Sequence, residues 1–64
     1  MHLYFWVAGV NQYHATCVNT TVNMGYIVAE NETMVRGHAF EQTKADFPDY
    51  DIVGIDVMQM PDEA

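Results

Sequence analysis

The sequence predicts a small α+β domain of the type β-β-α-β, in which a three-stranded, mainly antiparallel sheet with strand order 2-1-3 carries one helix on one face. Three observations predict this fold. Residues 2–10 and 17–29 are rich in strand-forming side chains and are separated by a short turn. Residues 31–47 place apolar side chains at helical spacing, and residues 52–58 return to the alternation of a half-buried strand. We expect the 64 residues to form a single domain with a frayed tail over residues 60–64.

The first strand is predicted from a near-continuous apolar run over residues 2–10. One row of its side chains contains Leu3 and Phe5, and the other row contains Tyr4 and Trp6. A run of this kind is typical of a strand that is covered on both faces. The first strand is therefore expected in the centre of the sheet.

The second strand is predicted from the alternation of side chains over residues 17–29, with Gly25 as a candidate bulge. Residues 11–14 have the composition of a turn. The first two strands are therefore expected to form an antiparallel hairpin.

The helix has clear start and stop signals. Asn31 is a good N-cap because its side-chain oxygen can accept a hydrogen bond from a free backbone N–H of the first turn, and the helix dipole favours the anion of Glu32 beside it. Pro48 ends the helix because the residue before a proline is displaced from helical geometry. The apolar face is predicted to consist of Val35, Ala39, Phe40, Thr43 and Phe47.

Arg36 is the exception in this helix because its position points towards the apolar face. In one interpretation its stem lies on the core and its guanidinium reaches water. In the other, the guanidinium is held in place for a carboxylate or a phosphate.

The last strand follows a turn at residues 48–51 and alternates between two faces. One face is predicted to carry Val53, Ile55 and Val57, and the other Gly54, Asp56 and Met58. A right-handed crossover through the helix makes this strand parallel to the second one. The simplest placement puts it on the far side of the first strand.

One helix can cover only one face of this sheet. We expect the other face to carry Tyr4 and Trp6, together with one row of the second strand. A large exposed apolar patch usually marks an interface, so we expect a second chain to cover it, most simply in a symmetric homodimer. The alternative is a monomer that docks this surface on its target.

The charges are acidic and unevenly distributed. The formal net charge is −7, and all eleven charged residues lie after residue 29. This balance argues against direct binding to nucleic acid and against an anionic membrane surface, since both attract basic side chains. It is compatible with a basic protein partner, because complementary charge speeds encounter and orients the complex. Plain solubility is the simpler explanation.

The sequence offers little for catalysis or metal binding, and no catalytic, cofactor-binding or metal-binding residue is predicted. The lone Cys17 excludes an internal disulfide. His14 and Cys17 have a metal-like spacing, but zinc normally takes three or four protein ligands. The start lacks the basic region of a signal peptide, and the apolar run is too short to span a bilayer. We therefore expect a cytoplasmic protein.

Three parts of the sequence resemble a pattern found in small uncharacterised proteins of tailed bacteriophages: GYIVAENET from Gly25 to Thr33, the pair Ala39-Phe40, and FPDYDIVGIDVM from Phe47 to Met58. In those proteins a YIVAE strand leads to a short helix, a PDYxIV turn and a final strand. The resemblance covers a little over half of the chain and carries no catalytic signature. It implies a short acidic accessory protein in the cytoplasm of an infected bacterium, of a kind that often binds and blocks a host enzyme or defence complex.

The main hypothesis is therefore an acidic protein-binding module that inhibits a host protein by occlusion. If the target surface normally holds nucleic acid, the carboxylates would stand in for phosphates and binding would be sensitive to salt. The residues expected to contact the partner are Tyr4, Trp6, Glu30, Arg36, Glu41, Asp46, Asp49, Asp51 and Asp56.

Two alternatives stay open. A structural homo-oligomer without an inhibitory target would have a large apolar self-interface. A small-ligand binder or enzyme would use His14, Cys17 or Arg36 at a cleft between two copies, and would need a concave pocket that contains those side chains.

Overall fold

The computed structural model describes residues 1–61, which form β1 (His2–Tyr13), β2 (Val18–Ala29), α1 (Glu32–Asp46) and β3 (Asp51–Gln59). The strands form one sheet in the order β2-β1-β3, and β1 is antiparallel to both neighbours. The predicted α+β fold and the strand order 2-1-3 are confirmed. The tail predicted from residue 60 is attached at its start, where the Met60 N–H donates to the Leu3 carbonyl at 2.8 Å. Residues 62–64 of that predicted tail lie outside the described residues.

β1 and β2 pair without interruption from His2–Ala29 to Tyr13–Val18. The hairpin is therefore longer than predicted, and its turn is shifted to residues 14–17, where the His14 N–H donates to the Cys17 carbonyl at 2.8 Å. The predicted bulge at Gly25 is wrong. This glycine pairs regularly, and its partner across the strands is Trp6.

The irregularity of the sheet lies instead between β1 and β3. Gly9 pairs with Gly54 and Val10 pairs with Ile52, so Val53 is an extra residue without a partner in β1. A bulge of this kind changes the direction of the side chains that follow it. Val53 consequently lies against the side of Gly9 that faces away from α1. The prediction that Val53 shares a face with Ile55 and Val57 is wrong for this reason.

α1 begins and ends where the sequence predicts. The Asn31 side chain accepts from the Met34 N–H at 3.0 Å, and the Phe47 N–H donates to the Thr43 carbonyl at 2.8 Å before Pro48. The buried face of α1 is narrower than predicted because Phe40 remains 44% exposed. It consists of Val35, Ala39 and Thr43.

The core lies between α1 and the row of β1 that contains Tyr4 and Trp6. These side chains are only 4% and 2% exposed, so the prediction that they lie on the uncovered face is wrong. The physical reason is the shape of that row. Its other buried members are the small Ala8 and Val10, and Trp6 is paired with Gly25, so a helix can approach closely.

Candidate protein-interaction surface

The face of the sheet opposite α1 is not covered by any part of residues 1–61, and we call it the open face. It begins at the β1 row of Leu3, Phe5 and Val7 and continues across the neighbouring strands. Residues directly opposite one another in paired strands share a face. The large apolar side chains of the open face that are 42–64% exposed are Leu3, Tyr13, Val18, Val22, Met24, Tyr26, Val28, Val53 and Met58.

The centre of the open face is formed by aromatic and aliphatic side chains. The rings of Phe5 and Tyr26 lie 5.1 Å apart between their centroids. Next to Phe5 is a shallow groove of about 110 Å³, lined by Phe5, Val7, Asp56, Val57 and Met58. Ligand pockets usually exceed about 300 Å³, so the groove suits a single side chain of a partner better than a small molecule.

Among residues 1–61, the charged residues of β1 and β3 on the open face are Asp51, which pairs with Asn11, and Asp56. Asp56 pairs with Val7, whose partner on the other side is Met24. No charged residue occurs before residue 30. The open face is therefore an apolar surface with two carboxylates, both in its edge strand β3.

The acidic residues predicted to contact a partner are exposed but do not form one patch. Glu30 follows β2 at one end of the molecule, and Glu41 lies on α1. Asp46, Asp49 and Asp51 lie near one another in the chain, between the end of α1 and the start of β3. Most of the negative charge therefore lies outside the open face.

Asp46 is tied to its surroundings more firmly than its exposure suggests. Its carboxylate accepts hydrogen bonds from Asn23 Nδ2 at 3.1 Å and from Gln42 Nε2 at 3.1 and 3.2 Å. The Asn23 amide also donates to the buried hydroxyl of Thr43 at 3.3 Å. These bonds connect the end of α1 to β2, so the position of this carboxylate is set by the fold.

The two basic residues are both engaged within the chain. Arg36 Nε contacts Glu32 Oε2 at 3.1 Å, and Arg36 Nη1 donates to the Ile55 carbonyl at 2.7 Å. Lys44 Nζ lies 5.7 Å from the centre of the Phe40 ring. Arg36 therefore links α1 to β3, and neither of the two interpretations drawn from the sequence describes this contact.

Sequence reasoning identified an uncovered apolar face but selected the wrong row of β1. Tyr4 and Trp6 cannot contact a partner in this fold because α1 covers them. The missed surface residues include Phe5, Met24 and Tyr26. One signal could have identified the correct row: a hairpin with its turn at residues 14–17 places Gly25 opposite Trp6, and a glycine beside a large ring indicates a closely packed face.

His14 and Cys17 lie in the exposed hairpin turn. His14 Nε2 is 3.0 Å from Asn19 Nδ2, and Cys17 is a free, exposed thiol. Within residues 1–61, no three side chains of the metal-binding types are grouped together. The groove on the open face contains neither of these residues nor Arg36.

α1 is the only helix in the described part of the chain, and it is not long and apolar enough to cross a membrane. Comparison of the chain with protein-family models, with curated protein sequences and with solved structures finds no match.

Proposed function

We propose that this protein is a small acidic protein-binding module that acts by occlusion, as an inhibitor of phage type in the cytoplasm of a host cell. The observation that supports this best is the separation of charge. The first 29 residues are uncharged, and both basic side chains have partners inside the chain. The remaining carboxylates are therefore available to meet a basic surface on another protein.

The carboxylates would act first on the rate and orientation of binding. A net charge of −7 on a chain of this size attracts a basic patch over a distance of about one Debye length. If that patch normally binds a nucleic acid, the exposed carboxylates take the positions of phosphates. The residues proposed for this role are Glu30, Glu41, Asp46, Asp49 and Asp51.

A triple variant tests the role of the carboxylates. Glu41→Gln, Asp49→Asn and Asp51→Asn together remove three exposed charges and keep the size of each side chain. The exposed Gln59→Asn is the control because it alters an amide on β3 without altering charge. Both variants and the original protein would be used as bait in a bacterial lysate, and the captured partner would then be purified.

The affinity of the purified partner for each variant tests the proposal. We expect its affinity for the original protein to fall at least about tenfold when salt is raised from about 50 to 300 mM, since screening weakens exposed charge pairs. The triple variant is expected to bind more weakly at low salt, and Gln59→Asn to bind normally. An affinity that does not change with salt would remove the proposal that the carboxylates replace phosphates.

A structural homo-oligomer is the second candidate, and the open face favours it. Within residues 1–61, nine large apolar side chains on one face remain half-exposed in the single chain. A patch of this kind usually marks an interface. In this case the acidic surface serves solubility alone.

A further inference from the structure

We infer that the open face is the contact surface of a symmetric homodimer, in which the sheets of two copies pack face to face and the two α1 helices lie on the outside. This inference rests on the second candidate function and names both the occupant and the geometry. It does not require an inhibitory target. A dimer of this kind leaves the carboxylates of α1 and the following turn exposed on both outer sides.

The first argument is the size of the patch. Stable interfaces bury about 800 Å² on each partner. The nine half-exposed apolar side chains of the open face, with the partly covered Phe5 and Val7 between them, provide an area of this order. They also form continuous rows across β2, β1 and β3, which is the pattern of an inner face in a two-sheet sandwich.

The second argument is the lack of charge. A surface without charged side chains in β1 and β2 offers no electrostatic selection of a foreign partner. Homodimer interfaces are more apolar than transient ones. A second copy of the chain is also present wherever the chain is made. The open face of that copy is therefore the partner that is always available to cover the open face of the first.

The third argument is the small core of the single chain. Within residues 1–61, three of the seven buried apolar residues are alanines, and the larger ones are Tyr4, Trp6, Val10 and Val35. Domains of this size rarely bury enough apolar surface to be stable alone. Two open faces in contact would form a second core, with Phe5 and Tyr26 near its centre.

The dimer has a characteristic response to charge. Each copy carries a net charge of −7, so two copies repel each other and salt screens this repulsion. Self-association is therefore expected to strengthen with salt, whereas binding to a basic partner weakens with salt. Any two-fold contact of the open faces also brings both Asp56 carboxylates to the same interface, so Asp56→Asn is expected to tighten the dimer about three- to tenfold.

Two methionines provide a matched pair of variants. Met24 on the open face and Met34 on α1 are 54% and 52% exposed. Met24→Glu adds a charge inside the proposed interface, and Met34→Glu adds the same charge on the opposite side. The purified chain and its variants would be measured by sedimentation equilibrium at two salt concentrations, with circular dichroism to check that each variant is folded.

We expect a dimer for the original chain, a loss of at least about thirtyfold in dimer affinity for Met24→Glu, and little change for Met34→Glu. A monomer at all concentrations would overturn the inference. So would a dimer that Met24→Glu leaves intact, since the contact would then lie elsewhere, for instance at the free edge of β2. A dimer equally weakened by both variants would overturn it too. These measurements use the purified chain alone, so failure of the inhibitor proposal would not alter them.

Discussion

Gly25 lies directly against the indole ring of Trp6. A Cβ atom added to Gly25 would be 3.0 Å from Trp6 Cζ2 and 3.2 Å from Trp6 Nε1. The two residues are paired across β1 and β2, and Trp6 is almost completely buried beneath α1. The missing side chain at residue 25 is therefore what allows the largest core residue to pack directly against the backbone of β2.

Gly25→Ala is expected to lower the free energy of unfolding by roughly 1–2 kcal/mol, since the ring would have to move within a packed core. Gly37→Ala is the matched control. No neighbouring atom lies within 4 Å of a Cβ at this exposed helical position, so alanine there is expected to stabilise the protein by up to about 1 kcal/mol. Urea unfolding at one protein concentration measures both. Equal effects of the two variants would contradict this account of Gly25.

The Asn31 cap is expected to contribute measurably to stability. Its side chain accepts the Met34 N–H at 3.0 Å. Asn31→Ala removes this acceptor and should cost about 1 kcal/mol, whereas Asn31→Ser keeps an acceptor and should cost much less. For a domain of this size, about 1 kcal/mol corresponds to a fall of roughly 4–8 °C in the melting temperature. Similar melting temperatures for the two variants would show that the cap has no such role.

Arg36 is expected to matter through its contact with β3 rather than through its ion pair. The bond to the Ile55 carbonyl is charge-assisted and short, and it links two elements. Arg36→Met should therefore lower the free energy of unfolding by about 1 kcal/mol. Glu32→Gln removes only an exposed ion pair and should change it by less than about 0.5 kcal/mol. A larger effect of Glu32→Gln in thermal unfolding would reverse the assignment.

Trp6 is expected to report on the core and not on the open face. It is the single tryptophan of the chain and is 2% exposed. Its emission should be blue-shifted in the folded protein, resist quenching by iodide, and move to the red on unfolding. Met24→Glu should leave the spectrum of the folded protein unchanged, because Met24 lies on the other side of the sheet. Strong iodide quenching in the folded state would contradict the burial of Trp6.

Several local features could be predicted because they depend on neighbouring residues. Asn31 and Pro48 set the ends of α1 through one side-chain acceptor and one restricted backbone angle. The separation of an uncharged first half from a charged second half follows from the sequence as well. The bulge at Val53 could not be predicted from the sequence. It depends on how Gly9 and Gly54 pair between two strands that are far apart in the chain.

The sequence alone determined the order and type of the elements, since periodicity, capping residues and turn residues act within a few positions along the chain. It also determined that one face of the sheet would be left uncovered, because a single helix cannot cover both faces. Only the tertiary structure decided which row of β1 would be covered. Both rows are apolar. The alternation of side chains along β1 places the two rows on opposite faces of the sheet, but it does not determine which face packs against α1. That choice depends on the close approach of Gly25 to Trp6, and it leaves the row of Phe5 exposed.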